Sequence, residues 1–347
     1  MSKKVLFLAP TGLDIYKDVI CALEEAQYQV DFVSSSIVPN NPFKPYSLVE
    51  TSEEKVRAFL EEVTRFWKEK LETAQYHKDY DFFFTIDGLM VCDYLFEELR
   101  KRNKNILFKL YLYDKIDYAC KVKRFFKYYN DIFSFDFGDC EQYGLKHLPI
   151  YWVPSPTSNI KKFDIFGMAS YSSHKNDRAP LFRQIRSISK DLHLKSYIKL
   201  YTPIDNPLIF FIKNIIKKLI KHPTYIPFSD IYSGLVTNKS FAPDLFREFI
   251  YSSDVVLDTH VFYQDGLTAR FMWALGAEKK IITTNKAITR YPFYNKNQFY
   301  ILEQNKDEEE SELRHFLQNT FVMPEDERII IKDYRIDNWL KSILNCI

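Results

Sequence analysis

Short apolar runs and helix-spaced apolar residues take turns along the whole chain. The runs KKVLFLAP, YQVDFVSS, DYDFFFTIDG, NILFKLYLYD and DIFSFD, with KHLPIYW closing the series, fill the first 152 positions. Their length, and their ends at Pro, Gly or Asp, predict strands buried on both faces. Between them the spacing predicts helices over 14–26 (Ile15, Val19, Ile20, Leu23), 52–75, 91–102 and 117–129; Ser52 stands ahead of acidic residues where the second helix should start. The Pro- and Asn-rich segment 39–48 reads as a loop.

The stretch PIYWVPSPTSNIKK, 149–162, predicts a hinge. A second series follows: strand FDIFGMASY, helix 177–191, strand SYIKLYTP, helix 205–221, short strand TYIPF, helix 242–252. Then comes DVVLDTHVFYQDGLTARFMWALGAEKKIITTN, 254–285, read as strand, turn, helix, turn, strand. The acidic tract 303–313 should be surface and 335–345 a last helix. Such alternation implies parallel sheets covered on both faces. The expected class is α/β, with two doubly wound Rossmann-like domains, 1–155 and 156–347, whose last helix can pack back on the first. Ligands of such sheets bind beyond the C-terminal strand ends, and a cleft between two sheets is the default site.

Composition narrows the function. With 46% hydrophobic residues in 347, the chain can fill full cores. A net charge of +2 argues against a nucleic-acid partner. Five scattered cysteines without a CxxC fit a reducing cytoplasm. The N-terminal apolar run stops at Thr11-Gly12, and nowhere do about 18 apolar residues follow one another, so no leader or span is expected. The protein is expected in the cytoplasm, free or peripheral to a membrane. The seven histidines make no HxH or HxxxH pair, which predicts no metal site. No GxSxG, Walker A or GxGxxG is present, against hydrolase, kinase and dehydrogenase readings.

The candidate chemistry sits at predicted strand ends and helix starts. Gly266, Leu267 and Thr268 open a predicted helix, where free N–H groups and the dipole favour a phosphate and the Thr268 hydroxyl can add a donor; a plain cap on a core helix is the alternative. Arg270 in the first turn opposes the dipole, which an anionic ligand would explain; a surface arginine is the other reading. Asp265 serves the ligand or caps the helix. Ser172, Ser173, Lys175 and Arg178 offer hydroxyl and cationic donors suited to an anion, or form a solvated helix start capped by Asp177. Asp87, Asp114 and Asp136 each end a strand, as a general base or as a cap. Asp87 comes first, because Gly88 permits close approach. Thr11-Gly12 follows the first strand, at the same end of the sheet. His260, at a strand end, is a ligand candidate or a packed core histidine. NPLIFFIKNIIKKLIKHP, 206–223, is a basic amphipathic helix, either lying on an anionic membrane surface or packed with its lysines in water.

The stretch SDVVLDTHVFYQDGLTARFMWALGAEKKIITTN resembles the C-terminal core of GT-B glycosyltransferases, in particular the bacterial group that builds capsule, lipopolysaccharide and exopolysaccharide. The matching residues are Asp254, Asp258, Gly266, Leu267, Thr268, Arg270, Lys279, Lys280, Thr283, Thr284 and Asn285. FSFDFGDCEQYGLKHLPIYW is similar to the end of that group's N-terminal domain. The resemblance covers about 60 residues closely and the rest loosely. It implies a nucleotide-sugar donor on the second domain, with the 168–180 loop reaching the diphosphate, and a glycan or lipid-linked acceptor on the first. No obligatory metal or other cofactor is expected, since no DxD stands near a strand end. Many members carry two glutamates eight positions apart around the turn, the second contacting the ribose; here those slots hold Asp265 and Trp273. An indole cannot accept two ribose hydroxyls, which leaves another nucleotide, an altered contact or lost activity. The alternatives are thus a non-catalytic scaffold of polysaccharide assembly, or another sugar-nucleotide enzyme such as an epimerase.

Overall fold

A computed structural model describes residues 2–36, 52–116, 120–154, 160–171, 178–260, 264–302 and 308–344. Contacts divide the chain into two compact units, Met1–Tyr151 with Asp333–Ile347, and Trp152–Lys332.

The first unit is built on six parallel strands: β1 (Lys4–Ala9), β2 (Gln29–Ser34), β3 (Phe82–Ile86), β4 (Leu107–Leu112), β5 (Asp131–Ser134) and β6 (Lys146–His147), in the order β2-β1-β3-β4-β5-β6. Register is fixed by pairs such as Val5 with Phe82 and Phe83 with Phe108. All five residues of β3 are buried, as an unbroken apolar run requires. Helices α1 (Ile15–Glu25), α2 (Glu53–Glu72), α3 (Asp93–Arg102) and α4 (Phe137–Tyr143) connect the strands. Ser52 caps α2 by accepting from Lys55 N. Where the spacing predicts a helix over 117–129, residues Cys120–Tyr128 form a 3-10 helix instead. Val122 and Phe125 are buried and Tyr128 stacks on Phe96, a spacing of three that suits the tighter helix. The chain's last helix, Ile336–Leu344, belongs to this unit. Its fully buried Trp339 donates to Pro149 O at 3.1 Å and meets Tyr111 and Tyr151 edge-on.

The second unit repeats the plan with β7 (Phe163–Ser170), β8 (Ser196–Tyr201), β9 (Val236–Thr237), β10 (Ser253–Asp258), β11 (Lys280–Thr283) and β12 (Phe299–Ile301), ordered β12-β11-β10-β7-β8-β9 and all parallel. Its helices are α5 (Ala179–Asp191), α6 (Pro207–Leu219), α7 (Phe228–Tyr232), α8 (Pro243–Tyr251), α9 (Ala269–Gly276), α10 (Glu308–Gln318) and α11 (Glu325–Lys332), so the chain's last helix is α12. TYIPF is not a strand. Both backbone groups of Ile226 are taken by the Asn214 side chain on α6, at 2.8 and 3.0 Å, which leaves none for a ladder. The neighbour of β8 is the two-residue β9.

Each sheet reverses its winding once, between β1 and β3 in the first unit and between β7 and β10 in the second. Crevices beyond such switch points are where doubly wound sheets bind ligands. Asp87 and the candidate residues within 258–270 fall there, whereas Asp114 and Asp136 follow β4 and β5, one and two strands from β3.

One close approach holds α9 in place. A Cβ on Gly276 would lie 2.4 Å from the ring of Trp152, whose indole donates to Ile331 O at 2.7 Å. Gly276→Ala is expected to destabilise the second unit by about 2–3 kcal/mol, the usual cost of overpacking, seen as a lower urea midpoint. An unchanged midpoint would mean that Trp152 moves freely.

Candidate functional site

In the second unit the site is assembled around Asp258, the last residue of β10, which is only 1% exposed. A buried carboxylate needs partners. Thr268 Oγ1 donates to it at 2.7 Å and Arg270 Nη1 at 3.3 Å. Thr268 is also the N-cap of α9, accepting from Phe271 N at 3.1 Å. Its proton is thus directed at Asp258 and its lone pair at the helix, so Thr268 ties the turn together. This corrects its expected part as a phosphate donor, and it takes the cap position considered for Asp265.

The turn ahead of α9 is pinned from the next strand. Asn285, just past β11, donates through Nδ2 to the carbonyls of Asp265 and Gly266 at 3.2 and 3.1 Å, and accepts from Ala287 N. Gly266 and Leu267 are buried while Asp265 is exposed, so of these three it is Asp265 that the turn shows to solvent.

Arg270 is the cation of this turn. Its side chain is 18% exposed and lies over Phe246, 5.7 Å from the ring centroid. Burial pushes its pKa down and Asp258 partly offsets this, so the charge is held at a cost. Its Nε is buried without a partner among the described residues. A guanidinium with donors left over at a helix N-terminus is suited to an anion.

His260 and Arg178 complete the constellation. His260 Nδ1 lies 2.8 Å from Thr284 Oγ1, and its backbone N–H donates to the same oxygen. Burial is the main cause of its lowered pKa; Asp258 and Asp265 push the other way and Arg178 adds to the lowering, so all three act on one imidazole. Below the unfolded histidine pKa of about 6.5 the neutral form favoured here loses stability to the unfolded chain. Arg178, at the N-cap of α5, donates to Ser170 O at 3.3 Å. The sheet therefore brings together Arg178, Asp265, Gly266, Thr268 and Arg270; Ser172, Ser173 and Lys175 lie outside the described residues. Two motif residues belong elsewhere. Lys279 and Lys280 are at or before the start of β11, and buried Lys280 Nζ donates to the carbonyls of Phe316 and Leu317 at the end of α10. Trp273 is 3% exposed, with the Arg247 guanidinium 5.3 Å from its ring centroid, so the indole fills space between α8 and α9.

In the first unit Asp87 and Asp114 follow neighbouring strands β3 and β4. Asp87 has φ +59°, a left-handed conformation that aspartate tolerates better than most residues. Gly88 continues at φ +59°, and a Cβ there would strike Val122 at 2.6 Å. Asp87 is 4% exposed and accepts from Tyr113 N at 3.1 Å. Burial first, then the charge of Asp114, pushes its pKa well above the usual carboxylate range; backbone N–H groups of Tyr113 and Asp114 hold it back only in part. Asp136 is different. Fully buried, it caps α4 by accepting from Asp139 N at 3.0 Å, so the cap reading replaces the base reading. Sequence reasoning missed Tyr129, whose buried hydroxyl has no partner among the described residues and would sit 3.5 Å from a Cβ on Gly88. Asp258 and Asn285 were visible only as members of a motif, with no sign of what they hold.

No protein-family model matches the sequence, and no curated protein matches it. Solved structures do match over nearly the whole length. An α,α-trehalose-phosphate synthase (UDP-forming) from Burkholderia vietnamiensis aligns with TM-score 0.58 at 10% identity, over 99% of this chain and 96% of its own. An α,α-trehalose 6-phosphate synthase from Burkholderia multivorans gives 0.56 at 11%, over 99% and 98%. The N-terminal domain of a Candida albicans trehalose-6-phosphate phosphatase gives 0.54 at 9%, over 99% and 96%. At such identities the shared property is the fold: two doubly wound α/β units with parallel six-stranded sheets, the GT-B class.

Proposed function

We propose that this chain is a glycosyltransferase that moves a sugar from a nucleotide-sugar to a surface glycan or lipid-linked acceptor in bacterial polysaccharide assembly, working in the cytoplasm or at the inner face of the cell membrane. The observation that carries it is the Asp258–Thr268–Arg270 cluster at the switch point of the second sheet, with a spare guanidinium donor at the start of α9. The fold adds weight, since one solved structure of this shape is a UDP-forming synthase.

In this reading the donor's diphosphate sits at the 265–270 turn, with Arg270 and Arg178 compensating the charge that grows on the leaving phosphate. No metal is needed if these cations suffice. The first unit supplies the base. In an inverting displacement the acceptor oxygen bonds to the anomeric carbon and the bond to the phosphate oxygen breaks. The nucleoside diphosphate leaves, and the acceptor proton passes to Asp87. Burial first, then Asp114, holds the Asp87 pKa up, which makes it a better proton acceptor once ionised.

The test is turnover of a nucleotide-sugar panel with a lipid-linked or glycan acceptor extract, reading release of nucleoside diphosphate. One donor class should be consumed with the wild-type chain. A non-catalytic scaffold is the second reading, favoured by Trp273, whose burial in the core leaves the usual ribose-binding slot without a carboxylate. It predicts no release with any donor.

A further inference from the structure

Helix α6 is amphipathic in the unusual sense. Leu208, Ile209, Ile212, Ile216, Leu219 and Ile220 are 49–77% exposed, and α6 has one buried residue, the polar Asn214. Leu208, Ile212 and Leu219 recur at i, i+4 and i+11, on one face. Asn214 lies on the opposite face, tied to both backbone groups of Ile226. The helix is therefore fixed to its unit by its polar side, and its apolar side points to solvent. A contiguous apolar face of this kind marks a surface that something covers.

Charge identifies what covers it. At 100° per residue Lys213 and Lys218 fall on the two flanks of the apolar face, while Lys217 and Lys221 fall nearer the Asn214 side. Residues 206–223 contain no Asp or Glu. Phe211, Phe228 and Tyr232 form an aromatic group beside it, with Phe228 5.3 Å from Phe211 and Tyr232 76% exposed. A second copy docking through this face would oppose lysines to lysines. An anionic bilayer matches all three features: acyl chains take the isoleucines, the interface takes the aromatic rings, and headgroup phosphates take the lysines.

We infer that α6 is an interfacial anchor that lays the second unit on a membrane rich in anionic lipid. The inference is independent of sugar transfer and would hold for a scaffold. The full chain is sedimented with vesicles of phosphatidylcholine alone and of phosphatidylcholine mixed with phosphatidylglycerol. Binding to the mixed vesicles is expected, at least tenfold tighter than to neutral ones and weakened by salt. At about fivefold per lysine, Lys213→Gln with Lys218→Gln should lower affinity about 25-fold. Ile212→Ser with Ile216→Ser and Leu219→Ser should abolish binding while lowering the melting temperature only slightly, since these side chains are 49–77% exposed and none is in the core. Absence of vesicle binding, or equal binding by wild type and both variants, would overturn the inference. So would a wild-type dimer that the isoleucine variant dissociates, which would assign the face to a second copy.

Discussion

Arg270→Ala is expected to abolish nucleotide-dependent stabilisation and to lower kcat/KM by about 10²- to 10³-fold, the usual size of losing one charged donor to a developing phosphate charge. The variant removes the only side-chain cation bonded to Asp258 among the described residues, and Asp258 keeps its hydrogen bond from Thr268. Breaking that part of a buried pair is expected to cost about 2 kcal/mol of stability, less than an isolated buried charge would, because one partner remains. Stability loss alone would mimic loss of function, so Arg270→Lys is the informative companion. An ammonium keeps the charge near Asp258 but lacks the planar fork and the spare Nε donor. Arg270→Lys should melt close to wild type and still lose most of the nucleotide-induced shift. If it retains both shift and turnover, Arg270 is a structural partner of Asp258, and the anion site lies elsewhere.

Asp87→Asn is expected to lower kcat by about 10²- to 10⁴-fold with little change in donor KM, as for loss of a general base. Asparagine can keep accepting from Tyr113 N and also tolerates the left-handed backbone at φ +59°, so the fold should survive. The stability effect has a definite sign. The pKa of Asp87 is raised in the folded state, by burial and by Asp114. Between the unfolded value of about 3.9 and that raised value, the folded chain holds more protons than the unfolded one, so stability falls as pH rises. The asparagine variant escapes this loss. It should gain on wild type as pH increases from about 4 toward neutrality, measured as the difference in unfolding midpoint. Wild-type turnover should rise over the same direction of pH as Asp87 ionises. A variant with normal kcat would rule out Asp87 as the base, and a stability difference independent of pH would rule out the buried, charge-coupled state.

The parts of this account legible in sequence are those set by local pattern. Strands such as Phe82–Ile86 and Lys4–Ala9 are buried almost throughout, and an unbroken apolar run has few other ways to fold. The turn at 265–270 showed itself through Gly266 and the helix it opens. What failed depends on partners distant in the chain. TYIPF looks like a strand, but Ile226 gives its backbone to Asn214, twelve residues earlier. The two residues of β9 are too few to show any period. Helical spacing identified α6 without saying which of its faces meets water. Thr268 and Arg270 converge on Asp258 from ten and twelve residues along the chain, and Lys280 is drawn to carbonyls 36 and 37 residues away. Asp136 and Asp87 look alike as strand-end carboxylates; only their surroundings separate a helix cap from a carboxylate of raised pKa.

The central claim is that the switch point of the second sheet binds the phosphates of a nucleotide. The most direct measurement is a thermal-shift panel with UDP, GDP, CMP, ADP and dTDP, each with and without magnesium, on the wild-type chain and on Arg270→Lys. A ligand that binds only the folded state raises the melting temperature by mass action; at 100 times its Kd it adds about 2.7 kcal/mol. One nucleotide should give a clear shift without magnesium, and the shift should largely vanish in the variant. No shift with any nucleotide, or an equal shift in both proteins, would contradict the claim.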